Sequence, residues 1–223
     1  MPTLLLIRHG QASFGAADYD VLSPVGAQQA GVVAASLDGV DRVISGTLGR
    51  QRGTAKPIAD AAGCALELDG RWDEYDADAI LEHHSDSDVR QDRPPGSDAP
   101  PVSTREFQQI LEGALHGWIG AGEASPCALR WPAFAERVTG ALHELGGQLR
   151  SGETAVVVTS GGVLAAVCVE LLGVPAPAFV AFNRVTVNAA VTRVVFGRSG
   201  ATLVSFNEHA HLLAGGAGLL TYR

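Results

Sequence analysis

Two short segments, Leu4-Leu5-Leu6-Ile7 and Ala155-Val156-Val157-Val158, are apolar at every position and end on polar residues. A strand with one wet face alternates, and a surface helix returns to polar residues every turn. An unbroken run this short does neither, so each predicts a strand covered on both faces. Helices must then flank one sheet on both sides.

The intervening segments supply those helices. Ser23-Pro24 offers an N-cap followed by proline in the first turn, opening a helix to about Leu37. Arg42–Ser45 reads as a second strand, Arg50–Ala62 as a helix closed by Gly63, and Ala65–Leu68 as a third short strand. Pro132–Leu149 is helical, and the strand Thr154–Thr159 precedes a helix over Val163–Leu172 stopped by Gly173 and Pro175. Val187–Phe196 and Ala201–Phe206 alternate and form late strands joined by a turn at Gly197–Gly200. Alternating strands and helices with right-handed crossovers predict an α/β fold, a three-layer α/β/α sandwich around a mostly parallel sheet.

Residues 77–130 break this rhythm. Pro94-Pro95-Gly96 and Pro100-Pro101 forbid regular structure, while Ser103-Thr104-Arg105-Glu106 forms a capping box for a helix reaching about Trp118. The segment is a helical insertion, a cap with a mobile acidic loop, inside one domain spanning 1–223.

Composition narrows the function. With 16 basic against 24 acidic residues the net charge is −8, which argues against nucleic acid and anionic membrane surfaces as partners. Three separated cysteines fit neither a disulfide framework nor a zinc site, and no leader or membrane span is visible, pointing to the cytoplasm. No His/Asp cluster has metal spacing, so neither metal nor other cofactor is expected.

Chemistry concentrates at strand ends, where α/β sheets bind ligands. Arg8-His9-Gly10 closes the first strand, and its glycine allows a tight turn or close backbone approach to a ligand. After the second strand, Leu48-Gly49-Arg50-Gln51-Arg52-Gly53-Thr54-Ala55 opens a helix. Cations in a first turn oppose the helix dipole, so Arg50 and Arg52 make sense with an anion between them. Thr159-Ser160-Gly161-Gly162 is a third strand end, feeding a helix through glycines. Arginine, histidine and free backbone N–H groups converging from such ends make a phosphate pocket.

Arg8-His9-Gly10 and Leu48-x-Arg50-x-x-x-Thr54-Ala55 resemble the histidine phosphatase superfamily, which includes the phosphoglycerate mutases. Tyr19-Asp20-x-Leu22-Ser23-x-x-Gly26-x-x-Gln29-Ala30 and Asn207-x-x-x-His211-Leu212 extend the resemblance over nearly the whole chain. It implies that His9 is the nucleophile, forming a phosphohistidine, and that Arg8 and Arg50 clamp the phosphoryl oxygens. It places the general acid in Arg71-Trp72-Asp73-Glu74-Tyr75-Asp76, with Glu74 the best match and Asp73 and Asp76 the alternatives.

The chain departs from that pattern at Ser160, where the superfamily has a second histidine before the paired glycines. Ser160 can still donate one hydrogen bond beside the Gly161 N–H, so both are read as phosphate-binding. His209 and His211 could substitute, although the resemblance puts His211 in a structural motif. His83, His84, His116 and His143 fill or solvate helix faces.

The expected function is hydrolysis of a small phosphomonoester, with inorganic phosphate as the other ligand and self-association possible. Phosphoglycerate mutase-type transfer is one alternative, but Gln11-Ala12-Ser13-Phe14 replaces the Glu-Ser and Trp-Asn continuation of the cofactor-dependent mutases. A weakened phosphate-binding or regulatory protein is another. A serine hydrolase with Ser160 as nucleophile lacks the glycine two residues earlier, where Val158 stands, and leaves Arg8, His9 and Arg50 unexplained. Seven of the eight net negative charges fall in 73–98, an acidic rim over a floor of Arg8, Arg50 and Arg52.

Overall fold

The computed structural model describes residues 1–13, 20–85 and 104–222. Six strands form one sheet: β1 (Thr3–Arg8), β2 (Arg42–Ser45), β3 (Leu66–Leu68), β4 (Thr154–Thr159), β5 (Val191–Gly197) and β6 (Gly200–Glu208). Their order is β3-β2-β4-β1-β5-β6, with β3, β2, β4 and β1 mutually parallel and β5 antiparallel to both β1 and β6. Five of the six strands therefore run in one direction, and the mixed sheet is mostly parallel as the patterning requires.

Eight α-helices surround it among the described residues: α1 (Pro24–Ala35), α2 (Gly49–Ala62), α3 (Ala77–His84), α4 (Thr104–Ala121), α5 (Trp131–Gln148), α6 (Gly161–Leu172), α7 (Ala178–Val185) and α8 (Ala210–Leu213). The apolar runs of β1 and β4 serve both faces by simple alternation. Leu4, Leu6, Ala155 and Val157 enter a core with α4, α5, α6 and α7, whereas Leu5, Ile7, Val156 and Val158 enter a second core with α1 and α2. All of these side chains are buried. None of the described helices is long and apolar enough to cross a membrane.

The helix ends follow the sequence closely. Ser23 caps α1 by accepting from Gly26 N, and Gly63 and Gly173 close α2 and α6 in left-handed conformations at φ 66° and 59°. The acidic loop of the insertion and Ser103 of the capping box lie outside the described residues. The described parts of the insertion, α3 and α4, pack into the same core as α5. Tyr75, Trp118, Trp131, Phe134 and Phe179 meet there with ring centroids 4.8–6.3 Å apart.

Three expectations need correction. The helix expected from Val163 begins at Gly161, so both glycines belong to its first turn, where a missing Cβ lets another chain segment come close. The strand expected from Val187 begins at Val191: residues 187–190 form a turn with Ala189 left-handed at φ 58°. Helix α7 was not foreseen, because Pro175 reads only as stopping the preceding helix, while Pro177 sits at the N-cap of α7.

Candidate active site

The parallel register brings the three strand ends together. Arg8 lies opposite Thr159, His9 N donates to the Thr159 carbonyl at 2.8 Å, and Gly46 N donates to the Val158 carbonyl at 3.1 Å. His9 and Ser160 are thus neighbours one step beyond the ladder, with the start of α2 on the other side.

The imidazole of His9 is buried between two fixed partners. Its Nδ1 lies 2.7 Å from the Gly10 carbonyl and its Nε2 lies 3.2 Å from Arg50 Nε. A carbonyl cannot donate and a guanidinium cannot accept, so Nδ1 carries the proton and Nε2 presents its lone pair. Burial, then the charges of Arg8 and Arg50, hold the imidazole well below its ordinary pKa, against a smaller opposing pull from the Gly10 carbonyl. The ring is neutral and its Nε2 lone pair faces a cation.

Arg50 is set by its surroundings. Asp20 Oδ1 pairs with its Nη1 at 2.6 Å while Asp20 Oδ2 accepts from Gly49 N at 2.6 Å. The anion that the first turn of α2 calls for is therefore a carboxylate of the same chain. Arg52 does not join the floor: it points outward and is exposed. Thr54 Oγ1 accepts from Gly10 N at 2.9 Å and donates to the Arg50 carbonyl at 2.8 Å, tying α2 to the His9 loop. Gly10 is required by packing, since a Cβ there would lie 2.5 Å from the Gly26 carbonyl oxygen. Arg8 donates through Nη1 to the carbonyls of Thr186 and Tyr222.

Of the three acids proposed from sequence, Glu74 alone points inward. Asp73 accepts from Thr47 N and Oγ1, both at 2.6 Å, and Asp76 caps α3 through Ala79 N at 3.0 Å. Glu74 Oε2 accepts from Gly162 N at 3.1 Å, so that N–H, read as a free donor, is already used. Burial raises the Glu74 carboxyl above the ordinary range, outweighing the Gly162 N–H, Arg50, the Tyr75 N–H and Arg8. Asn183 Nδ2 donates to Tyr75 Oη at 3.0 Å, and Arg137 donates to the Asp73 carbonyl, fixing the loop on either side of Glu74.

Several supports escaped the sequence. Ala189 N donates to the carbonyls of Arg8 and His9, and Asn188 Nδ2 donates to the His9 carbonyl at 3.1 Å. His211 Nε2 holds the Ala189 carbonyl at 3.0 Å, while Asn207 accepts from Val187 N and donates to the Val185 carbonyl, each at 2.8 Å. The Asn207-x-x-x-His211 motif thus braces the segment 185–190, which holds the backbone of Arg8 and His9. His209 bonds to the Asn207 carbonyl at 2.7 Å and likewise serves the backbone. His83, His116 and His143 are exposed, but His84 bonds Ser125 Oγ at 2.8 Å and pins the end of α3. No group of three or more His, Cys, Asp or Glu side chains converges on a metal-sized site among the described residues.

The sequence profile of the histidine phosphatase superfamily (branch 1) matches residues 4–209. The chain belongs to that superfamily. The chain is 29% identical over 184 residues to a probable phosphoglycerate mutase of Escherichia coli O139:H28, covering 79% of this chain and 77% of the relative. Its fold matches phosphoserine phosphatase from Entamoeba histolytica solved with 3-phosphoglyceric acid, at 22% identity and TM-score 0.66, covering 95% of this chain and 100% of that one. It also matches a mycobacterial glucosyl-3-phosphoglycerate phosphatase solved with inorganic phosphate, at 21% identity and TM-score 0.64, covering 94% and 98%. These similar proteins are named for phosphatase and phosphoglycerate mutase activities.

Proposed function

We propose that the chain hydrolyses small phosphomonoesters through a phosphohistidine on His9. The observation that carries this reading is the neutral His9, its Nε2 lone pair facing Arg50, in a pocket that also holds a buried carboxyl with a raised pKa. Arg8 and Arg50, with Ser160 and the Gly161 N–H, bind the phosphoryl oxygens and stabilise charge in the transition state.

His9 Nε2 attacks phosphorus and forms an N–P bond as the P–O bond to the leaving group breaks. Glu74, carrying the proton its buried setting favours, transfers it to the leaving oxygen. The Glu74 carboxylate then takes a proton from water as that water attacks phosphorus. The N–P bond breaks, phosphate departs, and both side chains regain their starting forms. Hydrolysis is preferred to mutase transfer because the residues after Gly10 lack the mutase continuation.

The reading is tested by mixing the protein with p-nitrophenyl phosphate, quenching in alkali and mapping phosphorylated residues by mass spectrometry. Phosphohistidine at His9 in the wild type, absent with loss of turnover in His9→Ala, supports the assignment. Turnover that survives His9→Ala overturns it.

A further inference from the structure

Ser160 stands at the N-cap of α6 but does not cap it. Ser23, at the same position of α1, accepts from Gly26 N at 3.0 Å. In α6 the equivalent donor is Val163 N, and the N–H one residue before it, Gly162 N, is taken by Glu74; Ser160 Oγ caps neither and instead accepts from Gln51 Nε2 at 2.9 Å. A helix that forgoes its N-cap loses about 1 kcal/mol, so the serine is held away from its helix for another reason.

The direction of the Gln51 bond is settled by its other partners. Gln51 Oε1 accepts from Leu48 N at 3.3 Å and Nε2 donates to the Trp72 carbonyl at 3.1 Å. Turning the carboxamide over would set oxygen against the Trp72 carbonyl and N–H against the Leu48 N–H. Gln51 is therefore a donor to Ser160, and the serine oxygen is an acceptor in that bond. Both side chains are fully buried, and Gln51 is the sole hydrogen-bonding partner of the Ser160 hydroxyl among the described residues. The O–H remains to be given, and Ser160 lies between His9 and the start of α2.

We propose that Ser160 donates its hydroxyl proton to an oxygen of the transferred phosphoryl group, and that Gln51 is the positioning residue that aims it. The proposal rests on the phosphatase reading and deepens it. The donor at this place is neutral where the superfamily pattern leads one to expect an imidazole. Cationic binding of the phosphoryl group then falls to Arg8 and Arg50, whose charge does not change over the working pH range. A donor that meets the phosphoryl oxygens best as charge accumulates acts on kcat more than on KM.

A double-mutant cycle tests the pairing, with p-nitrophenyl phosphate turnover and vanadate affinity as parallel readouts. Ser160→Ala should lower kcat by about 10²-fold with little change in KM. Gln51→Met, which keeps length but removes the donor, should lower kcat about tenfold alone and add almost nothing to Ser160→Ala. A penalty for Gln51→Met that is equal in both backgrounds shows a packing role and overturns the positioning claim. Unchanged kcat and vanadate affinity in Ser160→Ala overturn the donor claim, and that variant alone decides if Gln51→Met does not fold. Failure of the phosphatase reading looks different: no phosphohistidine forms, yet the vanadate arm still reads the Ser160 donor. Vanadate that fails to bind the wild type overturns the proposal as well.

Discussion

Glycine 162 separates two effects that ordinarily go together, which makes Gly162→Ala the sharpest test of where Glu74 sits. On backbone grounds the change should help, since alanine in a helix is favoured over glycine by about 0.5–1 kcal/mol. Position 162 is not an open helix surface, however. A Cβ there would lie 2.3 Å from Glu74 Oε1 and 2.4 Å from Tyr75 Cε1, where ordinary contact begins at 3.4 Å. The carboxyl and the ring must withdraw by about 1 Å, and Tyr75 has little room because Trp118, Phe134 and Phe179 surround it. Overpacking of this kind costs about 1–3 kcal/mol, so the net stability loss is at most about 2.5 kcal/mol. In a chain of this size that lowers Tm by no more than about 10 °C.

The effect on turnover should be larger in proportion. A proton donor displaced by 1 Å can cost about 10²-fold in rate. Steady-state hydrolysis of p-nitrophenyl phosphate beside a thermal melt gives both numbers from one preparation. The control is Gly31→Ala in α1, where an added Cβ meets nothing within 4 Å. It should gain about 0.5–1 kcal/mol without touching kcat. Wild-type kcat in Gly162→Ala, together with a raised Tm, would refute the placement of Glu74 against the α6 N-terminus.

Three further outcomes follow from the same geometry. The kcat/KM profile should be bell-shaped, falling below the lowered pKa of His9 and above the raised pKa of Glu74, and Glu74→Gln should flatten its alkaline limb; a limb that persists in that variant points to another acid. Because folding raises the Glu74 pKa, its protonated form supports the fold at low pH and that support is lost as pH rises through the folded value, so Glu74→Gln should melt higher than wild type at pH 8 but not at pH 3, as paired melts will show. His211→Ala removes the donor to the Ala189 carbonyl and should cost about 1 kcal/mol in denaturant unfolding, with a smaller loss of kcat than Gly162→Ala; equal losses would make His211 more than a brace.

What the sequence made legible were features with local causes. β1 and β4 were readable because a continuous apolar run has one stable setting, and Gly63 and Gly173 because a left-handed closure favours glycine. Motif order singled out His9, Arg50 and Glu74, and the fold brings all three to one end of the sheet. Features that depend on distant partners were not readable. Asp20 neutralises a helix start 29 residues downstream, and Gln51 reaches Ser160 across 109 residues. Ala189 gives no sign of its left-handed backbone, because the reason for it is the pair of carbonyls of Arg8 and His9 that its N–H must reach.

The first turn of α2 shows how a correct physical demand can have an unforeseen answer. Arg50 beside a helix N-terminus needs an anion, and Asp20 supplies it before any phosphate arrives. The arginine is then gripped at Nη1 by Asp20 and faces His9 through Nε. Side-chain entropy of up to about 2 kcal/mol is thus given up on folding rather than on binding. The carboxylate also weakens the field that a phosphoryl group feels on entry, so ground-state affinity suffers. In the proposed mechanism, charge that builds on the phosphoryl oxygens during transfer meets an arginine already aimed, with no reorganisation left to make. On that mechanism Asp20→Asn should lower KM and lower kcat with it, since catalysis by selective binding of the transition state trades the first for the second. A lower KM with unchanged kcat would show that Asp20 only screens the arginine.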